Sequence, residues 1–353
     1  MDQVSKISVE NMREQIRSVK HEEPWRYVKQ AKGEIKEILN VVRDAVSSSP
    51  DAQVILDITK TYLGSQCTMG EFLSFIDHIV AMVFHQQWSN EEMLRPYNQI
   101  KTILKQRYEK KPKCLAIYYC DAESANSSTM AFTAPLSKAI VVLPWVALLQ
   151  REKRITLIKA VREAKEGSSV EQINLSFTST LLHELCHASE STCIDIGIPI
   201  EPLKWLKTQG LIKLDRTKLW KHAHIDNFIS IYNDYSCRKL VEVQPLASTH
   251  FVSNEEHGES HHVPHSDQFK PINNAANVTK AIVAIYISIL RPKFDFIQMD
   301  DAGTEAVVKI RPDYRKKEGA SRPLYELRKK WFPDIFRIKE IPEDELEESN
   351  ESN

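Results

Sequence analysis

Hydrophobic residues recur at helical spacing through most of the N-terminal third of the chain. From Glu23 to Ser47 the residues Val28, Ile35, Ile38, Leu39, Val42 and Val46 share one face, and Ser47-Ser48-Ser49-Pro50 closes the run, which predicts an amphipathic helix. Phe72 to Gln86 repeats that spacing with more apolar residues, and Asn90 to Glu109 reads as a further helix capped by Ser89 with Glu91 and Glu92 in its first turn. After Cys114 the pattern changes. Cys114 to Cys120 and Ala139 to Leu143 are short apolar runs bounded by polar and small residues, which predicts strands; Met130 to Thr133 is a third candidate, and Ala122 to Ser128 a polar loop. Ile173 to Ser189 returns to helical periodicity without a Pro or Gly. His250 to His265, with five histidines among polar residues, reads as an exposed connector. A helix from Ala276 to Leu290 follows, then a hairpin from Phe294 to Ile310 turning at Asp300-Asp301-Ala302-Gly303, then a helix from Leu324 to Trp331.

Composition narrows the class. With 353 residues, 42% hydrophobic and 27% charged, the chain has room for one sizeable domain and an appendage, or for two domains. A formal net charge of −1 argues against a surface built broadly for nucleic acid or anionic membrane. The longest apolar run, Ala281 to Leu290, is too short to cross a bilayer, so no membrane span is expected. The first residues lack the apolar core of a secretory signal, so an intracellular location is expected unless a leader has been removed. The six cysteines follow no zinc-finger or thioredoxin spacing and are expected as thiols, although Cys114 and Cys120 could pair in an oxidising compartment.

The candidate chemistry lies in Leu181-Leu182-His183-Glu184-Leu185-Cys186-His187. One helical turn separates the two histidines, so both imidazoles leave the same face and can bind one Zn²⁺, with Glu184 beside them as general base toward a metal-activated water. The alternative is a buried helix whose histidines are only hydrogen-bonded within the core. A catalytic zinc site needs a third protein ligand. Asp195, eight residues after His187 and followed by Gly197, is an attractive candidate. Cys193, Glu190, Asp226, Asp234 and Glu242 compete with it.

Several blocks in the same order resemble the deuterolysin-like (aspzincin) metallopeptidases, including the lysine-specific metalloendopeptidase domain. These are Thr61 to Gly64, Ile117 to Thr133, Ile140 to Leu149, the segment Thr180 to His187, Ser191 to Asp195 and His224 to Phe228, together spanning roughly residues 25 to 235. The resemblance implies a zinc-dependent endopeptidase acting on protein or peptide substrates. His183, His187 and Asp195 would hold the zinc, Glu184 would be the general base, and Asp226 would line the substrate pocket and favour a basic side chain. Ile198 stands where the family places a tyrosine that steadies the oxyanion, which leaves Tyr232 and Tyr235 as candidates for that task. Ile229 stands where lysine-selective members carry a second acidic group. The implied fold is α+β: a mainly helical zincin-like domain with a small sheet over 23–240. Around it the sequence divides into an N-terminal arm (1–22), a His-rich connector (241–275), a C-terminal α/β extension (276–342) suited to binding a protein partner, and a disordered acidic tail (343–353). The runner-up is a binding or regulatory protein on a zincin scaffold with little or no catalysis.

Overall fold

A computed structural model of the chain describes residues 24–85, 89–121, 129–144, 156–189, 193–221, 227–250, 270–303, 305–312 and 321–333, with a few isolated positions besides. The N-terminal arm, most of the 122–128 loop, the greater part of the His-rich stretch and the acidic tail lie outside the described residues.

Three helices lead the chain: α1 (Pro24–Ser48), α2 (Gln53–Leu63) and α3 (Met69–His85). Strand β1 (Ser89–Arg95) and helix α4 (Tyr97–Lys110) precede β2 (Ala116–Cys120), β3 (Ala131–Ala134) and β4 (Ala139–Val142). Helices α5 (Leu157–Glu163) and α6 (Val170–Asn174) lead into α7 (Phe177–Ser189), which carries both histidines of the candidate motif. Next come β5 (Gly197–Pro199), α8 (Ile200–Thr208), β6 (Trp220–Lys221) and β7 (Phe228–Ser230). Helices α9 (Asp234–His250) and α10 (Ala275–Leu290), the pair β8 (Phe294–Asp295) and β9 (Lys309–Ile310), and helix α11 (Ser321–Trp331) follow. The architecture is α+β with small sheets.

The larger sheet has the order β1-β2-β4-β3, parallel except for β3, which runs antiparallel to β4 at the edge. Its residues Ala116 to Cys120 are buried throughout, as expected of a strand covered on both faces. Edge strand β3 lies against α7. A second sheet, β5-β7-β6, is antiparallel and sits beyond the C-terminal end of α7 in sequence.

The sequence pattern misplaces three boundaries. Residues 89–95 are not helical but form β1, paired parallel with β2. Pro96 accounts for this, because its ring disfavours helix at Arg95 and supplies a fixed φ of −58° from which α4 can start. The single helix expected over 173–189 is two, since the chain breaks at Leu175-Ser176 and Ser176 restarts it by accepting the Ser179 amide on its Oγ at 3.1 Å. The segment 241–275 is not wholly a connector: α9 continues through 250, and Pro271 and Asn274 are buried.

Helix α10 explains why. All sixteen of its residues are buried, and it packs on α1, α2, α7 and α11 within one hydrophobic cluster. A mainly apolar helix with no exposed face is stable only when surrounded. The segment read as an extension therefore supplies the centre of the core rather than an added layer. No helix among the described residues is long and apolar enough to cross a membrane. Two outcomes test this packing. Ile285→Ala, at a position with no exposure, should cost about 2–5 kcal/mol in denaturant unfolding, and a chain cut before residue 270 should show no cooperative thermal transition.

Candidate metal centre

Helix α7 is a fixed platform. Its residues Leu181, Leu182, Leu185 and Cys186 are buried, and Thr178 donates to the buried Glu34 carboxylate of α1. The Cys186 thiol lies between the histidines in sequence but points into the core, 3.7 Å from Thr279 Oγ1 of α10, and burial pushes it up to about 12. From the opposite face His183 and His187 bring their Nε2 atoms to 3.1 Å from each other. Asp195 Oδ1 lies 3.2 Å from each of those nitrogens.

Asp195 gets there by strand register. Gly197 pairs with Ser230 and Ile198 with Ile229 across β5 and β7, so continuing the antiparallel ladder past β5 sets Asp195 opposite Tyr232. The Ile231 amide donates to Ile196 O at 3.2 Å, as that register requires, and Tyr232 donates its hydroxyl to Asp195 Oδ2. Gly197 therefore serves as an ordinary strand residue and not as a left-handed turn.

The three ligand atoms fit a small tetrahedral cation. Ligands about 2.0–2.1 Å from zinc stand about 3.3–3.4 Å apart, close to the triangle formed here. Asp195 Oδ1 is buried and lacks an aligned hydrogen-bond donor among the protein groups, although it lies 3.2 Å from each imidazole Nε2. His187 Nδ1 donates to the Cys193 carbonyl at 2.9 Å. That bond places the proton on Nδ1 and turns the Nε2 lone pair toward the centre, an arrangement common among metal-bound histidines. Among the described residues these three side chains form the group able to hold a metal ion.

Charge follows from the same contacts. Burial lowers the His187 pKa, but the Asp195 carboxylate and the Cys193 carbonyl outweigh it and bring the ring up to about 9. Burial also works against the Asp195 carboxylate, yet the two imidazoles hold it well below the usual carboxylate range. Tyr232 is pushed up by burial and then by the Asp195 charge, so it remains a donor. Its ring lies 5.5 Å from that of His183.

Glu184 is buried on the adjoining side of α7. The Thr133 hydroxyl of edge strand β3 lies 2.7 Å from its Oε2 and 2.8 Å from its backbone carbonyl, so the strand and the carboxylate are held together. Thr133 escaped the sequence reading as a site residue because an isolated threonine in a strand carries no spacing signal.

The other candidates are placed elsewhere. Tyr235 accepts the Asp215 amide at 2.6 Å and lies near Lys213 O, so its hydroxyl is spent away from Asp195. Asp234 accepts from Tyr62 at 2.6 Å and Arg238 at 2.7 Å in a separate buried network. Glu242 pairs with Lys239 on α9 at 2.6 Å. Cys193 contributes its backbone carbonyl, while its side chain belongs to the core. No disulfide links any of the six cysteines, Cys114 and Cys120 included. Glu190 and Asp226 lie outside the described residues.

A ring that is cationic up to about pH 9 must lose a proton to become a ligand. Zinc uptake at pH 7 should therefore release protons, read as a dependence of the calorimetric heat on the buffer's ionisation enthalpy, and apparent affinity should rise between pH 6 and about 9. In metal-free protein the sign is opposite: the raised His187 pKa contributes stability fully below about 6.5, and that contribution is lost as pH rises through about 9. Comparison of the chain with protein-family models, curated proteins and solved structures found no match in any of the three.

Proposed function

We propose that the chain is a zinc-dependent endopeptidase of the zincin type, akin to the aspzincins that its motifs resemble. The observation that carries this reading is the closed triangle of His183 Nε2, His187 Nε2 and Asp195 Oδ1, with Glu184 beside it on the same helix. Bound there, zinc would polarise the scissile carbonyl and lower the pKa of the attacking water.

The chain's own groups account for the remaining work. Glu184 takes the proton from the attacking water and delivers it to the departing amine nitrogen. Thr133 restrains that carboxylate, because its one hydroxyl proton is shared between Glu184 Oε2 and the Glu184 backbone carbonyl. Tyr232 occupies one oxygen of Asp195, leaving the other for the ion. For Tyr232 to steady the developing oxyanion, in place of the tyrosine that Ile198 replaces, its one hydroxyl proton must turn from Asp195 Oδ2 to that oxygen as the transition state forms. Edge strand β3, tied to Glu184 through Thr133, supports binding of an extended peptide by strand addition.

Glu184→Gln should keep zinc at one equivalent and lose peptide cleavage by about 10²–10⁴-fold; cleavage at the wild-type rate would remove Glu184 from the mechanism. Tyr232→Phe should weaken zinc binding, because it removes the donor to Asp195 Oδ2, and should lower kcat even at saturating zinc. Wild-type protein that binds zinc yet cleaves no member of a diverse peptide library would favour the binding-protein reading instead.

A further inference from the structure

We propose that Asn274 is a positioning residue for the metal centre, fixing Asp195 from the far side of the core. The inference rests on the metal-centre reading above.

Asn274 occupies the N-cap position of α10, where an asparagine ordinarily accepts an amide of its own first helical turn. It makes no such cap. Its fully buried side chain instead reaches the two segments that bracket the site. Oδ1 accepts the Ile196 amide at 3.0 Å, one residue after Asp195, and Nδ2 donates to the Ile231 carbonyl at 3.3 Å, one residue before Tyr232. The second Nδ2 hydrogen goes to Asn277 Oδ1 at 2.6 Å. Asn277, also fully buried, donates to the carbonyls of Tyr62 at 2.6 Å and Cys237 at 3.0 Å. Both amides thereby use both donors and an acceptor, as groups out of water must.

The residue on the other side of Asp195 is held by the same stretch of chain. Ile194 donates to Asn273 O at 2.9 Å, and its carbonyl accepts the Ala275 amide at 3.2 Å. The peptide units on both sides of Asp195 are thus tied to residues 273–275, and its side chain can leave the backbone in only one direction. Strand pairing with β7 fixes which residue faces Tyr232. Asn274 fixes how far the Asp195 loop stands from α7, because α10 packs directly on that helix. A carboxylate held in this way meets His183 and His187 without having to order a loop, and such outer contacts govern metal affinity.

The test compares Asn274→Ala with Asn277→Ala in the full-length protein, reading thermal stability, zinc affinity and the visible spectrum of the cobalt(II) form. Both substitutions remove buried hydrogen bonds and should lower Tm. Only Asn274→Ala should weaken zinc binding by about 10–100-fold and alter the cobalt spectrum. Equal zinc affinity and an unchanged spectrum in a folded Asn274→Ala variant would overturn the proposal, as would an equal loss in Asn277→Ala. Should Asn274→Ala not fold, hydrogen exchange in the wild-type protein decides: the Ile196 amide should exchange as slowly as amides of α10, and exchange at loop rates would overturn the tie. Wild-type protein that takes up neither zinc nor cobalt would overturn the metal-centre reading, while the exchange measurement still tests the Asn274 contact on its own.

Discussion

Two imidazole nitrogens and a carboxylate oxygen lie within about 3.2 Å of one another and largely out of water. That crowding is the constraint on which the site depends, because three lone-pair donors repel unless a proton or a cation lies among them. The surroundings are correspondingly stiff. One helix carries both histidines, strand pairing delivers the carboxylate, and the Cys193 carbonyl sets the proton position on His187. A flexible assembly would relax by moving the charges apart.

The chain contains a useful contrast. Asp234 is as deeply buried as any carboxylate among the described residues, yet Tyr62 and Arg238 donate to it directly, and Glu171 nearby is matched by Lys280 at 3.0 Å. That network is charge-compensated by the protein itself and offers no place for an exogenous cation. At Asp195 Oδ1 the facing groups are nitrogens able to surrender their protons. The distinction between a structural ion pair and a candidate ligand set thus lies in what surrounds the carboxylate, not in its burial.

Much of the fold was readable from periodicity: helices α1, α3, α10 and α11, the buried strands β2 and β4, and the hairpin turning at Gly303, whose φ is +67°. Local chemistry overrode periodicity elsewhere, at Pro96 and at Ser176, each of which divides a pattern that looked continuous. The two histidines and Glu184 could be found because a helix converts fixed spacing into fixed geometry. Asp195 could be named only as one of several acids, since its approach depends on pairing between residues distant in sequence. Asn274 and Thr133 gave no signal at all: each acts through contacts with elements far along the chain. Hydrophobicity marked α10 as buried, but not what it would be buried against, which is why a central helix looked like an appendage.

The placement of Asn274 bears on when the centre can exist. During synthesis α7 emerges with its histidine pair before residues 273–275 leave the ribosome, and until then the peptide units flanking Asp195 lack the ties that those residues supply. A growing chain therefore carries both rings before Asp195 is fully fixed beside them, and the triangle of ligand atoms gains its last backbone ties only when the start of α10 has docked. Completion of the His183, His187 and Asp195 group is thereby tied to the order in which the parts of the chain are made.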